Sequence, residues 1–304
     1  MRHNKCFILG IVILALTLVI GTALAESTLV SLWDSGMDFL FHTDNVTVTG
    51  DAVFTLDGQR FKTAQLNYVQ DGFSSYYGLK LLTPGKDGDE RESGWIILAD
   101  ANGKIAVMEV YEPGTYKQGY GTAQNTLLRR SVQLDALAEL GGLIVGQVDA
   151  MMPEGAVTVA EREGGKSVHI RLNADQIPKV AVSALNVAAG YLSDRWFSYS
   201  HDRDLKNNGE MDFDTYVTVT EALTDGTVTW TLRDADVEAS LDAQGRLSAV
   251  SGTVNAASTF WDGSVRVVGV QFHLTMQDYG TSRVKPFDPA DYQVTLQKNI
   301  MWVE

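Results

Sequence analysis

The stretch VGVQFHLTMQ, from Val268 to Gln277, alternates between two kinds of side chain. Its even positions are apolar, and its odd positions are polar or small. This period of two is typical of a β-strand with one buried face and one solvated face. The residues before it, from Asp212 onward, repeat the pattern more loosely. Residues 212–279 are therefore predicted to form four long antiparallel strands. Tight turns are expected at dipeptides that contain glycine, because glycine tolerates positive φ. The candidate turns between the strands are Asp225-Gly226, Gln244-Gly245 and Asp262-Gly263.

The first half of the chain predicts a second run of about five strands. It carries the turn sequences Asp57-Gly58 and Asn102-Gly103, and a later hairpin turns on Gly164-Gly165. In residues 122–148 and 176–197 the apolar side chains recur every three or four positions instead, which favours helices. Gly141-Gly142 is expected to interrupt the first of these helices. A further short helix is expected over residues 27–41.

This order of elements predicts an α+β fold class. We expect a strongly curved antiparallel sheet, in the form of an incomplete barrel, with helices packed on one face. Residues 26–285 are predicted to form a single domain, or two similar halves of about 26–150 and 151–285. Residues 286–304 would follow as a C-terminal tail. The sequence leaves open whether the two strand runs form one sheet or two.

The first 25 residues have the pattern of a cleavable secretory signal. A basic segment over residues 1–5 precedes an apolar run over residues 6–20, and Ala23 and Ala25 fit the small-residue positions of a cleavage site. The run is shorter than the ~20 residues of a spanning helix, so no integral membrane segment is expected after cleavage. The only cysteine, Cys6, precedes the run, so no lipid anchor is expected. The protein is therefore predicted to be secreted or extracytoplasmic.

The charge of the chain argues against two classes of partner. Removing the two bases of the first 25 residues takes the formal net charge from −14 to −16. A surface this acidic repels nucleic acid and anionic lipid head groups at long range. No nucleic-acid partner is therefore expected.

Sequence motifs for catalysis and metal binding are missing from the chain. It has no G-x-S-x-G, H-E-x-x-H, Walker or dinucleotide-binding motif, so no catalytic residue and no cofactor are predicted. Candidate metal ligands are Asp202, Asp204 and Asp212 in a Gly-containing loop. Lys206 takes the fifth position from Asp202, where calcium requires an oxygen, which favours a solvated turn and no metal. A hydrolase that uses the carboxylates of Asp202 and Asp204 is kept as an alternative.

Several short stretches look like parts of one known family. They are GWIIL at 94–98 with YEPGTY at 111–116, LNADQIP at 172–178, SLDAQGRL at 240–247 and TMQDYG at 275–280. Together they resemble the bacterial lipoprotein-carrier superfamily, of the LolA/LppX type. The resemblance implies a curved half-barrel whose open side is filled by helices, with a hydrophobic cavity between helices and sheet. It implies no catalytic residues.

Our leading interpretation is a non-enzymatic protein that binds an apolar ligand between helices and sheet. The partner would be a lipid, another apolar small molecule or an acylated peptide, with a cell-envelope protein as a second candidate. Burial contributes ~0.8 kcal/mol per methylene, so an acyl chain can be held without polar groups. The alternative is a cell-surface interaction or sensor domain with a solid core. The predicted ligand-binding residues are Ala181, Ala184, Leu185, Ala188, Leu192, Val270, Phe272 and Leu274.

Overall fold

The computed structural model describes residues 28–84, 89–109, 114–121, 126, 139, 141–143, 145–146, 151–177, 179, 182–183, 186, 229–259 and 263–299. The described chain begins with helix α1, Thr28–His42. A turn of 3₁₀ helix, Pro289–Tyr292, lies near its end. The strands are β1 Asn45–Leu56, β2 Gln59–Asp71, β3 Ser74–Pro84, β4 Glu90–Ala99, β5 Lys104–Glu109, β6 Thr115–Tyr120, β7 Val157–Arg162, β8 Gly165–Asn173, β9 Thr229–Asp242, β10 Leu247–Thr259, β11 Val265–Gln277 and β12 Thr295–Asn299.

These twelve strands form one sheet in the order β12-β6-β5-β4-β3-β2-β1-β11-β10-β9-β8-β7. Neighbouring strands are antiparallel except for β12, which runs parallel to β6. The two strand runs meet at β1 and β11, where Thr47 lies opposite Gln277 and Leu56 lies opposite Val268. The N-terminal and C-terminal runs therefore belong to a single open sheet, with β12 and β7 at its edges.

The predicted α+β class, with helices packed on one face of an incomplete barrel, is wrong. The described structure is mostly β, because the strands are long and the β1–β11 pairing adds both runs to the same sheet. β1, β2, β9, β10 and β11 each contain 12 to 14 residues, well above the usual strand length of about 5–6 residues. In the described residues, α1 is the one α-helix whose two ends are seen. Most of the two other predicted helices, over 122–148 and 176–197, lies outside the described residues.

Three of the predicted hairpin turns are confirmed by their backbone conformation. Gly58, Gly103 and Gly245 adopt φ values of 82°, 76° and 78°, a region in which a Cβ atom is unfavourable. In the β4–β5 turn, the Asp100 carboxylate accepts hydrogen bonds from the backbone N–H groups of Asn102 and Lys104, at 2.8 and 2.9 Å. These local interactions explain why the turns could be found from the sequence.

One face of the sheet, here called the apolar face, carries the main core. Residues directly opposite each other on neighbouring strands point to the same side, and Val48 lies opposite Met276 as Ala52 lies opposite Phe272. The predicted alternation of β11 is therefore confirmed. Among the members of the apolar face are Val46, Val48, Ala52, Tyr68, Tyr77, Leu79, Ile170, Val237, Val254, Phe272, Leu274 and Met276.

Helix α1 packs into this main core. Its apolar side chains there are Leu29, Leu32, Trp33, Phe39 and Leu40, as its spacing predicts. Val145, from the helical stretch after β6, belongs to the same core and is 1% exposed.

Two glycines allow that second stretch to approach α1. Gly141 and Gly142 are helical, so the prediction that they interrupt the helix is wrong. A Cβ atom at Gly141 would overlap the indole ring of Trp33, and one at Gly142 would lie 3.4 Å from Trp33 Nε1. The glycines therefore make room for the indole, a tertiary role that outweighs their low helix propensity.

The opposite face of the sheet is covered at one end by the C-terminal residues. Buried Leu98, Ala106, Met108 and Tyr116 form a second, smaller cluster there. Phe287, Tyr292 and Val294 pack against it, and the rings of Tyr116 and Phe287 meet edge to face at 4.9 Å. Strands β4 and β5 thus carry apolar side chains on both faces.

Hydrogen bonds hold these C-terminal residues to the sheet. The Asn45 side chain accepts from the Ser282 backbone N–H at 2.7 Å and donates to the Ser282 carbonyl at 3.1 Å. Farther on, the Thr295 N–H donates to the Gly114 carbonyl at 2.9 Å, and β12 then pairs with β6. β12 covers the edge that β6 would otherwise present to solvent.

Candidate ligand-binding face of the sheet

Three predicted ligand-binding residues lie together on the apolar face. Val270, Phe272 and Leu274 alternate along β11 and are 8%, 4% and 3% exposed. Their opposite neighbours are Val254, Gly252 and Val250 on β10, and Phe54, Ala52 and Gly50 on β1. All three side chains are close-packed.

The other predicted site residues lie outside the described residues. They are Ala181, Ala184, Leu185, Ala188 and Leu192 of the predicted helix, and the candidate metal ligands Asp202, Asp204 and Asp212. The predicted signal, residues 1–25, also lies outside them.

Asn186 anchors the stretch that contains the predicted helix residues. Its side-chain amide donates to the Trp230 carbonyl at 2.8 Å, and its side-chain oxygen accepts from the Trp230 N–H at 2.8 Å. The same amide donates to the Val182 carbonyl one turn earlier, also at 2.8 Å. Asn186 thus joins the helical residues Val182 and Ser183 to the start of β9.

Replacing Asn186 by alanine is expected to destabilise the protein by about 1–3 kcal/mol, because half-buried backbone groups of Trp230 would lose their partner. The free energy of unfolding in urea measures the loss. Ser183→Ala, an exposed change in the same stretch, serves as the control and should stay within about 0.5 kcal/mol of the unmodified protein. Equal stabilities of the two variants would contradict the anchoring role.

Polar side chains interrupt the apolar face on β3, β5 and β6. Tyr77, Ile97, Val107 and Lys117 form one row across β3 to β6. Glu109 lies two residues beyond Val107 on β5, and Lys117 Nζ contacts its Oε1 at 2.7 Å. The Glu109 and Lys117 side chains are 13% and 28% exposed, so this ion pair is more shielded than a surface pair. Tyr77, Glu109 and Lys117 are called the polar cluster below.

Two atoms of the polar cluster are buried without a hydrogen-bond partner among the described residues: the Tyr77 hydroxyl and Glu109 Oε2. The neighbouring Tyr68 hydroxyl, in contrast, donates to Gln70 Oε1. Burial raises the pKa of the Tyr77 hydroxyl, which therefore stays protonated and able to donate. Since buried polar atoms are nearly always satisfied, both atoms point to a partner outside the described protein atoms.

Sequence reasoning missed the polar cluster and Asn186. One signal was present, because Glu109 is in phase with Ile105 and Val107 along β5 and therefore puts a charge on an apolar face. Ala106 and Met108 concealed it, since they make the other face of β5 apolar as well. For Asn186 we find no signal in the sequence.

The described residues also bear on two other kinds of site. None of their helices is both long enough and apolar enough to cross a membrane. No group of three or more His, Cys, Asp or Glu side chains among them is arranged to hold a metal ion.

Comparisons with known proteins give one match to a solved structure. No protein-family model matches the chain, and no curated protein matches it. The chain is similar to the solved LolA superfamily protein NE2245 from Nitrosomonas europaea, with 10% identity over 82% of this chain and 93% of that chain and a TM-score of 0.20. That protein belongs to the family that the sequence resembles. At this TM-score the match carries no argument about the fold, ligand or activity of this chain.

Proposed function

We propose that this chain is an extracytoplasmic, non-enzymatic binding protein that holds an apolar ligand, a lipid or an acylated peptide, against the apolar face of its sheet. The observation that carries the proposal is the extent of that face together with the few polar atoms on it. Ligand sites in proteins are mostly apolar, with a small number of polar groups that orient the ligand.

The size of the apolar face supports this reading. Twelve strands spaced about 4.8 Å apart give a sheet about 55 Å wide. Helix α1 has 15 residues, so it is about 22 Å long and about 10 Å across. Most of the face therefore lies beyond the footprint of α1, yet its outer members such as Leu79 and Ile170 are buried as well. A ligand on this face would therefore lie between the sheet and the protein segments that cover it.

The chemistry of the face suits an acyl chain. Each buried methylene contributes ~0.8 kcal/mol, so a chain laid along the strands is held without polar contacts. The polar cluster at β3, β5 and β6 would receive the polar end of an amphipathic ligand. Export by the signal over residues 1–25 would place the protein where lipids and acylated peptides of the cell envelope occur.

One observation favours the alternative, an interaction or sensor domain with a solid core. Phe272 and Leu274 are 4% and 3% exposed, which is the burial of close-packed core residues. In our proposal the centre of the apolar face, at β1, β11 and β10, is packed by the protein itself. We place the ligand toward β3–β6, beside the unpartnered Tyr77 and Glu109 oxygens, although Tyr77 is as buried as Leu274 and the Ser258 hydroxyl on β10 also lacks a partner among the described residues.

Native mass spectrometry of the secreted full chain tests the proposed function. We expect adducts with the masses of lipids, which dissociate at higher collision energy, and saturable binding of the uncharged dye Nile red. Delipidated protein should regain the adducts when acylated compounds are added. Protein that carries no adduct and binds no dye would instead support the solid-core domain.

A further inference from the structure

The polar cluster has a defined balance of charge and hydrogen bonds. Lys117 and Glu109 neutralise each other through the 2.7 Å contact at Oε1. Glu109 Oε2 then remains as a buried oxygen with no described partner, and an ionised carboxylate only accepts hydrogen bonds. A group that satisfies Oε2 must therefore donate a hydrogen bond.

A second requirement comes from Tyr77. The residue is 3% exposed, and its hydroxyl also lacks a partner among the described residues. A phenol can donate one hydrogen bond and accept another. Hydroxyl and amide groups offer both functions. Tyr77 and Glu109 stand two strands and two positions apart, about 12 Å between Cα atoms, so a head group that serves both must carry more than one such group.

A free carboxylate does not fit. It has no proton to donate to Glu109 Oε2, and it would bring a second negative charge toward a carboxylate whose counter-ion is already engaged. Like charges at short distance in a shielded site repel strongly. The cluster is therefore selective in its charge as well as in its hydrogen bonds.

We propose that the polar cluster recognises the ligand's head group and selects acyl compounds with an uncharged, hydrogen-bond-donating head, a hydroxyl or an amide, over free fatty acids. This inference rests on the proposed function, because it assigns a polar end to the ligand of the same face. Tyr77 and Glu109 contact the head group, and Lys117 holds the Glu109 carboxylate in place.

Displacement of Nile red by two compounds with the same acyl chain tests the inference. 1-Monodecanoylglycerol has a hydroxyl-bearing head, and decanoate has an ionised carboxylate. We expect the glycerol ester to displace the dye at about tenfold lower concentration, the effect of one hydrogen bond to a charged group. In Glu109→Gln the ratio of the displacing concentrations, decanoate to glycerol ester, should fall toward one, because the repulsion of decanoate is removed.

Two further variants make the result specific. Tyr77→Phe should weaken the binding of the glycerol ester by about threefold to tenfold. The protein should stay folded, since the change removes a hydroxyl that has no described partner. Glu238→Gln is the matched control: Glu238 lies on the opposite face in an ion pair with Arg162, and its loss should leave the ratio unchanged.

The outcomes separate the inference from the proposed function. Equal displacement by both compounds, or a ratio that survives both Glu109→Gln and Tyr77→Phe, would overturn the inference while lipid binding stands. Equal displacement is expected if ordered water, and not a ligand head group, satisfies the Tyr77 hydroxyl and Glu109 Oε2. If neither compound displaces the dye and no lipid adduct forms, the proposed function fails and the inference fails with it.

Discussion

Replacing Gly50 by valine is expected to lower the free energy of unfolding by about 3 kcal/mol, at the upper end of the usual cost of overpacking. Gly50 lies on the apolar face at the centre of β1, opposite Leu274 of β11. A Cβ atom there would lie 2.6 Å from Leu274 Cδ2 and would overlap the backbone oxygen of His273. That oxygen belongs to the paired strand, so relief requires β1 and β11 to move apart. Urea denaturation of both proteins measures the loss.

Gly146→Ala is the control for this prediction. Gly146 is helical, and a Cβ atom built there meets no heavy atom within 4 Å. The change should leave stability unaltered or raise it by up to about 1 kcal/mol, because alanine is the better helix former. A Gly50→Val protein as stable as the unmodified one would mean that β1 and β11 do not pair in this register.

Local chemistry made much of the strand pattern predictable. The alternation from Val268 to Met276 identifies the buried face of β11 without any knowledge of its neighbours. The β9–β10 turn is equally local, since the Asp242 carboxylate accepts from the N–H groups of Gln244 and Arg246, both at 2.9 Å. Such features depend on residues within a few positions of each other, which is the range that a sequence pattern reveals.

The fold class could not be predicted in the same way, because it depends on contacts distant in sequence. Val48 and Met276 are paired although most of the chain separates them, and nothing in either strand specifies the other as its partner. Without that pairing, two strand runs with helical spacing between them are typical of an α+β protein. The strand pattern depends on neighbouring residues in the sequence, whereas the order of the strands depends on pairings between distant ones.

The candidate site shows the same division. Val270, Phe272 and Leu274 share a face because of the strand period, so their grouping was predictable. The contact of Lys117 with Glu109 joins two strands, and the bonds of Asn186 with Trp230 join a helical stretch to a distant strand. The pattern of β5 was harder to interpret. Residues of the C-terminal tail pack on the face of β5 that carries Met108, so both faces of this strand carry apolar side chains.

Phe272→Ala is expected to cost about 3–5 kcal/mol of unfolding free energy, the usual loss when a buried phenylalanine is truncated. The side chain is 4% exposed, and the residues opposite it on the two neighbouring strands are Ala52 and Gly252. Neither neighbour is large enough to fill the space, so a cavity should remain. Urea denaturation measures the loss, with Phe73→Ala as the control. Phe73 is 49% exposed at the β2–β3 turn, and its truncation should change stability by no more than about 0.5 kcal/mol.

The same variant links stability to the proposed function. If the protein binds acyl chains on its apolar face, 1-monodecanoylglycerol should raise the denaturation midpoint of the unmodified protein, because it binds the folded state only. It should raise the midpoint of Phe272→Ala by more, since the chain can extend into the volume that the ring has left. A loss below about 1 kcal/mol would show that Phe272 is not packed as described. A loss of several kcal/mol, with neither midpoint responding to the glycerol ester, would identify the apolar face as the solid core of an interaction domain.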